Sequence, residues 1–148
     1  MNINKWDNAH MDVAHTYAKL SSATRLQVGC VIVKENRIIS IGYNGMPSGW
    51  TNECEYPIKD VNILGDEKVL NWKTKPEVLH AETNAIAKVA RSGESAEDAT
   101  LYVTHAPCLD CAKLIYQSGI NKVVYHNEYR CTDGIDFLNM CSIEVHKL

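Results

Sequence analysis

The sequence predicts an α/β fold in which a mixed sheet carries helices on both faces. Three features predict it. An N-terminal helical pattern is followed by two β runs close enough to pair as a hairpin. Helical and β patterns then alternate to the end of the chain, which implies parallel strands joined by crossovers. Composition is that of an ordinary globular chain of 148 residues, 45% hydrophobic and 22% charged.

Residues 7–20 read as the first helix, with Ala9, Val13, Tyr17 and Leu20 at helical spacing. The β runs at 28–34 and 37–43 are apolar and partly continuous, as in strands covered on both faces. Glu35-Asn36 makes the turn between them, with Asn36 suited to a left-handed conformation. From 44 to 78 the pattern breaks at Gly45, Pro47, Gly49, Pro57, Gly65 and Pro76. A single domain over 1–148 is expected, with an irregular insertion at about 45–78 that contains Trp50 and Trp72. A helix at 80–92, a strand at 100–104 and a helix at 108–118 follow. A strand at 122–126, a helix near 133–140 and a strand at 142–146 complete the pattern. Gly93 and Gly119 stand where helix stops are expected.

Net charge is −3, and lysines and arginines are scattered without a cluster of three. That argues against a nucleic-acid polymer as partner and for a small molecule. No run is long enough for a transmembrane helix. The N-terminal stretch 1–7 lacks the apolar core of a signal peptide. Of six cysteines, two sit in a metal motif, and Cys30 lies in an apolar run typical of a reduced buried thiol. A cytoplasmic location is expected.

The chemistry concentrates in two motifs, His80-Ala81-Glu82 and Pro107-Cys108-Leu109-Asp110-Cys111. Two thiolates and one imidazole make three protein ligands, the count of a catalytic zinc that keeps its fourth position open. Pro107 suits the first turn of a helix. Cys108 and Cys111, three apart, share a helix face at the positive end of the dipole, which favours thiolate. Glu82 leads the apolar stripe of Ala85, Ile86 and Val89, so its carboxylate should point inward. A lone C-x-x-C can be a redox pair or half of a zinc ribbon. No second C-x-x-C is present, which excludes a four-cysteine ribbon. H-x-E with P-C-x-x-C is the signature of zinc nucleobase deaminases.

Further segments extend the pattern in order along the chain. They are Val28-Gly29-Cys30-Val31-Ile32-Val33 and Gly42-Tyr43-Asn44-Gly45-Met46-Pro47-Ser48-Gly49. His80-Ala81-Glu82-Thr83-Asn84-Ala85-Ile86 and Leu101-Tyr102-Val103-Thr104 follow. Pro107-Cys108-Leu109-Asp110-Cys111-Ala112-Lys113-Leu114-Ile115 and Gln117-Ser118-Gly119-Ile120 close the set. Together they resemble the deoxycytidylate (dCMP) deaminases of the cytidine deaminase superfamily, over nearly the whole chain. The zinc motif specifies the superfamily. The Gly42–Gly49 loop and the helix after Cys111 narrow it.

The resemblance implies a cytidine deaminase-like three-layer α/β/α sandwich around a five-stranded mixed sheet. It implies hydrolysis of dCMP to dUMP and ammonia, feeding thymidylate synthesis. It also implies a homo-hexamer, activated by dCTP with Mg2+ and inhibited by dTTP, and a cytosolic setting (the host's, for a viral source). His80, Cys108 and Cys111 would hold Zn2+, and Glu82 would carry the water proton to N3 and help protonate the departing amine. Asn44 would hold the deoxyribose, and Ala81 would offer backbone contact to the base, with Thr104 as a second contact. Arg25 and Tyr129, with Arg130 behind them, would take the 5′-phosphate. Effector nucleotides would use Gly45, Met46, Pro47 and Trp50. Some members carry a second, structural zinc. Here Ala23 replaces one expected cysteine and the insertion lacks histidine, so Cys54 stands alone and one zinc per chain is expected. The alternatives are a deaminase of another nucleoside or nucleotide base, or a non-catalytic nucleotide sensor. A sensor would be expected to lose Glu82 or a ligand.

Overall fold

The computed structural model describes residues 4–148. Residues 1–3, part of the stretch read for a signal peptide, lie outside the described residues.

Helix α1 spans Lys5–Ala18 and starts earlier than its apolar spacing suggests, because a capping box sets its first turn. The Asn4 side chain accepts from the Trp6 and Asp7 backbone N–H groups, and Asp7 accepts from the Asn4 N–H in return. Strands β1 (Gly29–Lys34) and β2 (Arg37–Tyr43) pair antiparallel. Both turn residues are left-handed, Glu35 at φ 50° and Asn36 at φ 59°, as a two-residue type I′ turn requires.

The main sheet continues with β5 (Thr100–His105), β6 (Lys122–Asn127) and β7 (Glu144–Lys147), in the order β2-β1-β5-β6-β7. β1 pairs antiparallel with β5, and the last three strands run parallel. β1 is buried along most of its length. β2 is an edge strand and less deeply buried, but both its faces are covered, with Ile39 against one core and Ile41 against the other.

Helices α2 (Ala81–Ala90), α3 (Leu109–Gln117) and α4 (Asp133–Met140) pack on one face. Their core joins Ala85, Ile86, Val89, Ile115 and Leu138 to Ile32, Leu101, Val103 and Val123 of the sheet. On the other face α1 sets Met11 and Ala14 against Val31, Val33, Tyr102 and Val124. The side chains of each strand thus divide between two cores with period two. The result is the three-layer arrangement expected. Two successive crossovers of one hand, β5-α3-β6 and β6-α4-β7, place α3 and α4 on the same side. Gly119, at φ +86°, ends α3 as a left-handed residue just past its cap. Gly93 has no such conformation, and α2 ends instead at its Arg91 cap.

The segment expected to be irregular carries a second sheet. β3 (Glu55–Val61) and β4 (Glu67–Thr74) form an antiparallel hairpin with a bulge at Ile58/Lys59 and Gly65 at φ +86° in its turn. Pro57 does not forbid it, because each strand of a two-stranded ribbon has a free edge. Most hairpin side chains are exposed, so no one-face burial imposes an alternating pattern on the sequence. At the base, Lys75 donates its backbone N–H to the Cys54 carbonyl at 2.8 Å, and Gly45 bridges Leu79.

Candidate active site

The site assembles where two helices begin. His80 is the N-cap of α2 (φ −76°, ψ 155°), and Cys108 is the N-cap of α3 (φ −70°, ψ 170°). Pro107 therefore precedes the cap instead of occupying the first helical turn. Neither side chain forms a helix-capping hydrogen bond, so both can point across the gap. Cys111, in the first turn of α3, completes the group. His80 Nδ1 lies 3.6 Å from Cys108 Sγ and 3.3 Å from Cys111 Sγ, and all three atoms lie within 4.8 Å of one another.

This donor set fits zinc. Bonds of about 2.3 Å to sulfur and about 2.0–2.1 Å to nitrogen in a tetrahedron predict N···S edges of about 3.6 Å. The observed separations lie close to that value. Three protein ligands also leave the fourth corner for a reactant.

Two glycines let the helices approach. A Cβ on Gly42 of β2 would overlap the Ala81 carbonyl oxygen at the start of α2. A Cβ on Gly134 of α4 would overlap the Pro107 carbonyl oxygen, just before Cys108. Each contact seats one arm of the ligand set.

Glu82 is only 4% exposed, on the buried face of α2 with Ala81, Ala85, Ile86 and Val89. Burial raises its pKa above the ordinary carboxylate range, against the pull of its own backbone N–H and of the His80 ring. The Cys108 thiol is pushed down to about 4 by hydrogen bonds with Cys111 and His80. Cys111 is pushed up by its bond to Cys108 and by burial. His80 is raised chiefly by its contact with Cys108. One thiolate is thus already favoured at the helix terminus, as a metal ligand requires.

His80, Glu82 and Cys108 open into a cavity of about 490 Å³. Of the substrate residues expected from sequence, Arg25, Asn44, Ala81 and Tyr129 line it. Asn44 also holds the loop before β1: its Oδ1 accepts from Val28 N–H and its Nδ2 donates to the Leu26 carbonyl, both at 2.8 Å. Thr104 does not line the cavity. It is fully buried, and its Oγ1 is engaged by the Gly29 N–H at 3.1 Å and by His105 Nδ1 at 2.9 Å. The strand end was the right place, but strand alternation turns Thr104 into the sheet and His105 toward the site.

The residues named for effectors lie outside this cavity. Met46 packs on Ala23, Cys54 and Val78 in a small apolar cluster, and Trp50 is exposed. In that cluster Cys54 Sγ lies 3.4 Å from Ser22 Oγ.

Sequence reading missed His105, Glu55, Lys73 and Thr74, which all line the cavity. His105 was recoverable, since ligands gather at the carboxyl ends of parallel strands. Its pKa is lowered by burial and by the neighbouring His15 and His126. The other three come from the hairpin and had no local signal.

A buried carboxylate beside an open His/Cys/Cys set, at helix N-termini over an α/β/α sandwich, defines a class of zinc hydrolases acting on nucleobases. The family described as the cytidine and deoxycytidylate deaminase zinc-binding region matches residues 4–127. The chain is 39% identical to the deoxycytidylate deaminase of Enterobacteria phage T4, over 80% of this chain and 76% of that protein. It is 35% identical to the human deoxycytidylate deaminase, over 97% of this chain and 79% of that one. The crystal structure of a dCMP deaminase from cyanophage S-TIM5, in complex with dCMP and dUMP, superposes with a TM-score of 0.86. That structure is 42% identical, and each chain is covered in full. The protein belongs to the cytidine and deoxycytidylate deaminase family and is a deaminase enzyme. Among the described residues no helix is long and apolar enough to cross a membrane.

Proposed function

We propose that the enzyme hydrolyses dCMP to dUMP and ammonia. The observation that carries this reading is that one cavity is lined both by His80, Glu82 and Cys108 and by Arg25, Tyr129 and Arg130. A neutral nucleoside would need no cation there, whereas a 5′-phosphate does. Arg130 also lies over the Tyr129 ring at 5.7 Å, which holds the pair together.

Zinc held by His80, Cys108 and Cys111 would supply Lewis acidity and bring the pKa of a water towards neutrality. Glu82 takes one proton from the attacking water and delivers it to N3 of the pyrimidine. A C–O bond forms at C4. Glu82 then moves the second water proton to the amino group, the C4–N bond breaks, and ammonia leaves. The proton added to N3 remains in the uracil. The Ala81 backbone and Asn44 orient base and sugar, and Arg25 and Tyr129 hold the phosphate.

Activation by dCTP with Mg2+, inhibition by dTTP, hexamer formation and a cytosolic role in supplying dUMP are finer parts of the proposal, resting on the resemblance. Exposed Ile58, Ile63, Leu64, Leu70 and Trp72 on the hairpin offer apolar surface that another copy could cover. Sedimentation with and without dCTP tests assembly.

Ultraviolet-monitored deamination of dCMP by zinc-loaded protein tests the chemistry. Glu82→Gln is expected to lower kcat by about 10²–10⁴-fold while zinc content stays at the wild-type level. A Glu82→Gln enzyme as active as wild type would remove Glu82 from the reaction.

A further inference from the structure

The loop between α1 and β1 supplies Arg25, and this loop is held from outside by the hairpin. Glu55, the first residue of β3, is 9% exposed and lines the cavity. Its Oε1 accepts two consecutive backbone N–H groups, from Thr24 at 3.0 Å and from Arg25 at 3.1 Å. At the other side of the hairpin base, Thr74 Oγ1 accepts from Arg25 Nη1 at 3.4 Å. The backbone of Arg25 is fixed by one hairpin strand and its guanidinium is touched by the other.

We propose that Glu55 is a positioning residue for phosphate recognition, aiming Arg25 at the phosphate end of the cavity through its own backbone. The inference rests on the reading of Arg25 as a phosphate ligand. The physical reason is local. Thr24 and Arg25 lie outside any helix or strand, and their N–H groups have no backbone partner among the described residues. A buried carboxylate oxygen bonded to two adjacent N–H groups sets the peptide plane from which the arginine side chain departs. A flexible arginine without that anchor would hold a phosphate only after losing more conformational freedom. The insertion thereby becomes part of the substrate site although it is remote in sequence from the zinc motifs.

The test compares dCMP with deoxycytidine, which lacks the phosphate, in zinc-loaded wild type, Arg25→Ala, Glu55→Ala, Glu55→Gln and the Arg25→Ala/Glu55→Ala double variant. Glu55→Ala is expected to raise KM for dCMP about tenfold, with kcat and the deoxycytidine kcat/KM within about threefold of wild type. Glu55→Gln keeps an oxygen able to accept both N–H groups and is expected within about threefold of wild type on both substrates. The double variant should be no worse on dCMP than Arg25→Ala alone. Should Glu55→Ala fail to fold, Glu55→Asn, one methylene too short to reach both groups, carries the same expectation. A selective loss in Arg25→Ala with no change in Glu55→Ala overturns the positioning role alone. So does a Glu55→Ala loss that is equal for both substrates. Arg25→Ala treating both substrates alike defeats the phosphate reading itself, and the positioning role with it.

Discussion

An N-cap residue usually spends its side chain on the helix that follows. Neither His80 nor Cys108 makes a side-chain cap: both hold the extended cap conformation and direct their donor atoms at each other. The backbone N–H groups of those helix starts then face the site, where they favour thiolate and anionic groups. A contrasting use of one residue occurs at Asp7, 5% exposed, which caps α1 and also accepts from Tyr102 Oη at 2.7 Å. Burial would raise its pKa, but the Tyr102 hydroxyl and the Asn4 N–H outweigh it and hold the carboxyl below its ordinary value. Its folded-state pKa therefore lies below its unfolded one. The stabilisation is full above the ordinary carboxylate range and is lost as pH falls through the folded value. Tyr102→Phe is expected to cost about 1.5–3 kcal/mol at neutral pH, the range for a hydrogen bond to a charged group. In thermal melts the gap from wild type should narrow towards acid pH. A gap independent of pH would assign the loss to packing alone.

At the scale of elements, glycines control how closely the layers approach. Gly29 admits α1, Gly42 admits α2, and Gly134 admits α4 against the Cys108 turn. Added methyls would meet backbone in each case, so overpacking of at least about 1–3 kcal/mol is expected for each alanine variant. The consequences for metal should differ. Gly42→Ala and Gly134→Ala displace a segment that carries a ligand, and both stability and zinc affinity should fall. Gly29→Ala disturbs the opposite face, so stability should fall while zinc affinity holds. Melting temperatures paired with chelator competition separate the two outcomes. Equal zinc loss in all three would mean that the site responds to global loosening only.

For the whole molecule, the two cores account for cohesion, and the hairpin strands contribute to neither. Replacing the hairpin tip, residues 62–66, by a two-residue Asn-Gly turn keeps the Val61–Glu67 pairing and is therefore expected to shift Tm by under about 3 °C. Calorimetry would show a larger fall if the tip were covered in solution by another copy. The base is a different matter: Glu55 and Thr74 touch the loop that carries Arg25, so shortening must stop short of them.

The five strands of the main sheet, the four helices and the His80/Glu82/Cys108/Cys111 set were all legible in the chain. Each rests on short-range information: a period of two or 3.6, a turn residue, or ligands three residues apart. The hairpin was not legible, because exposed strands carry no burial pattern and Pro57 and Gly65 read as breakers. Thr104 was misplaced for a related reason. Spacing located the end of β5, but only the pairing of β1 with β5 decided that Thr104 faces inward and His105 faces the cavity. The sequence by itself determined which chemistry is available, since ligand and acid–base types are properties of the residues. Tertiary structure decided which distant segments complete the site. Glu55 and Arg25 meet through the return of the hairpin onto the loop after α1, and that contact is a consequence of packing with no local signature.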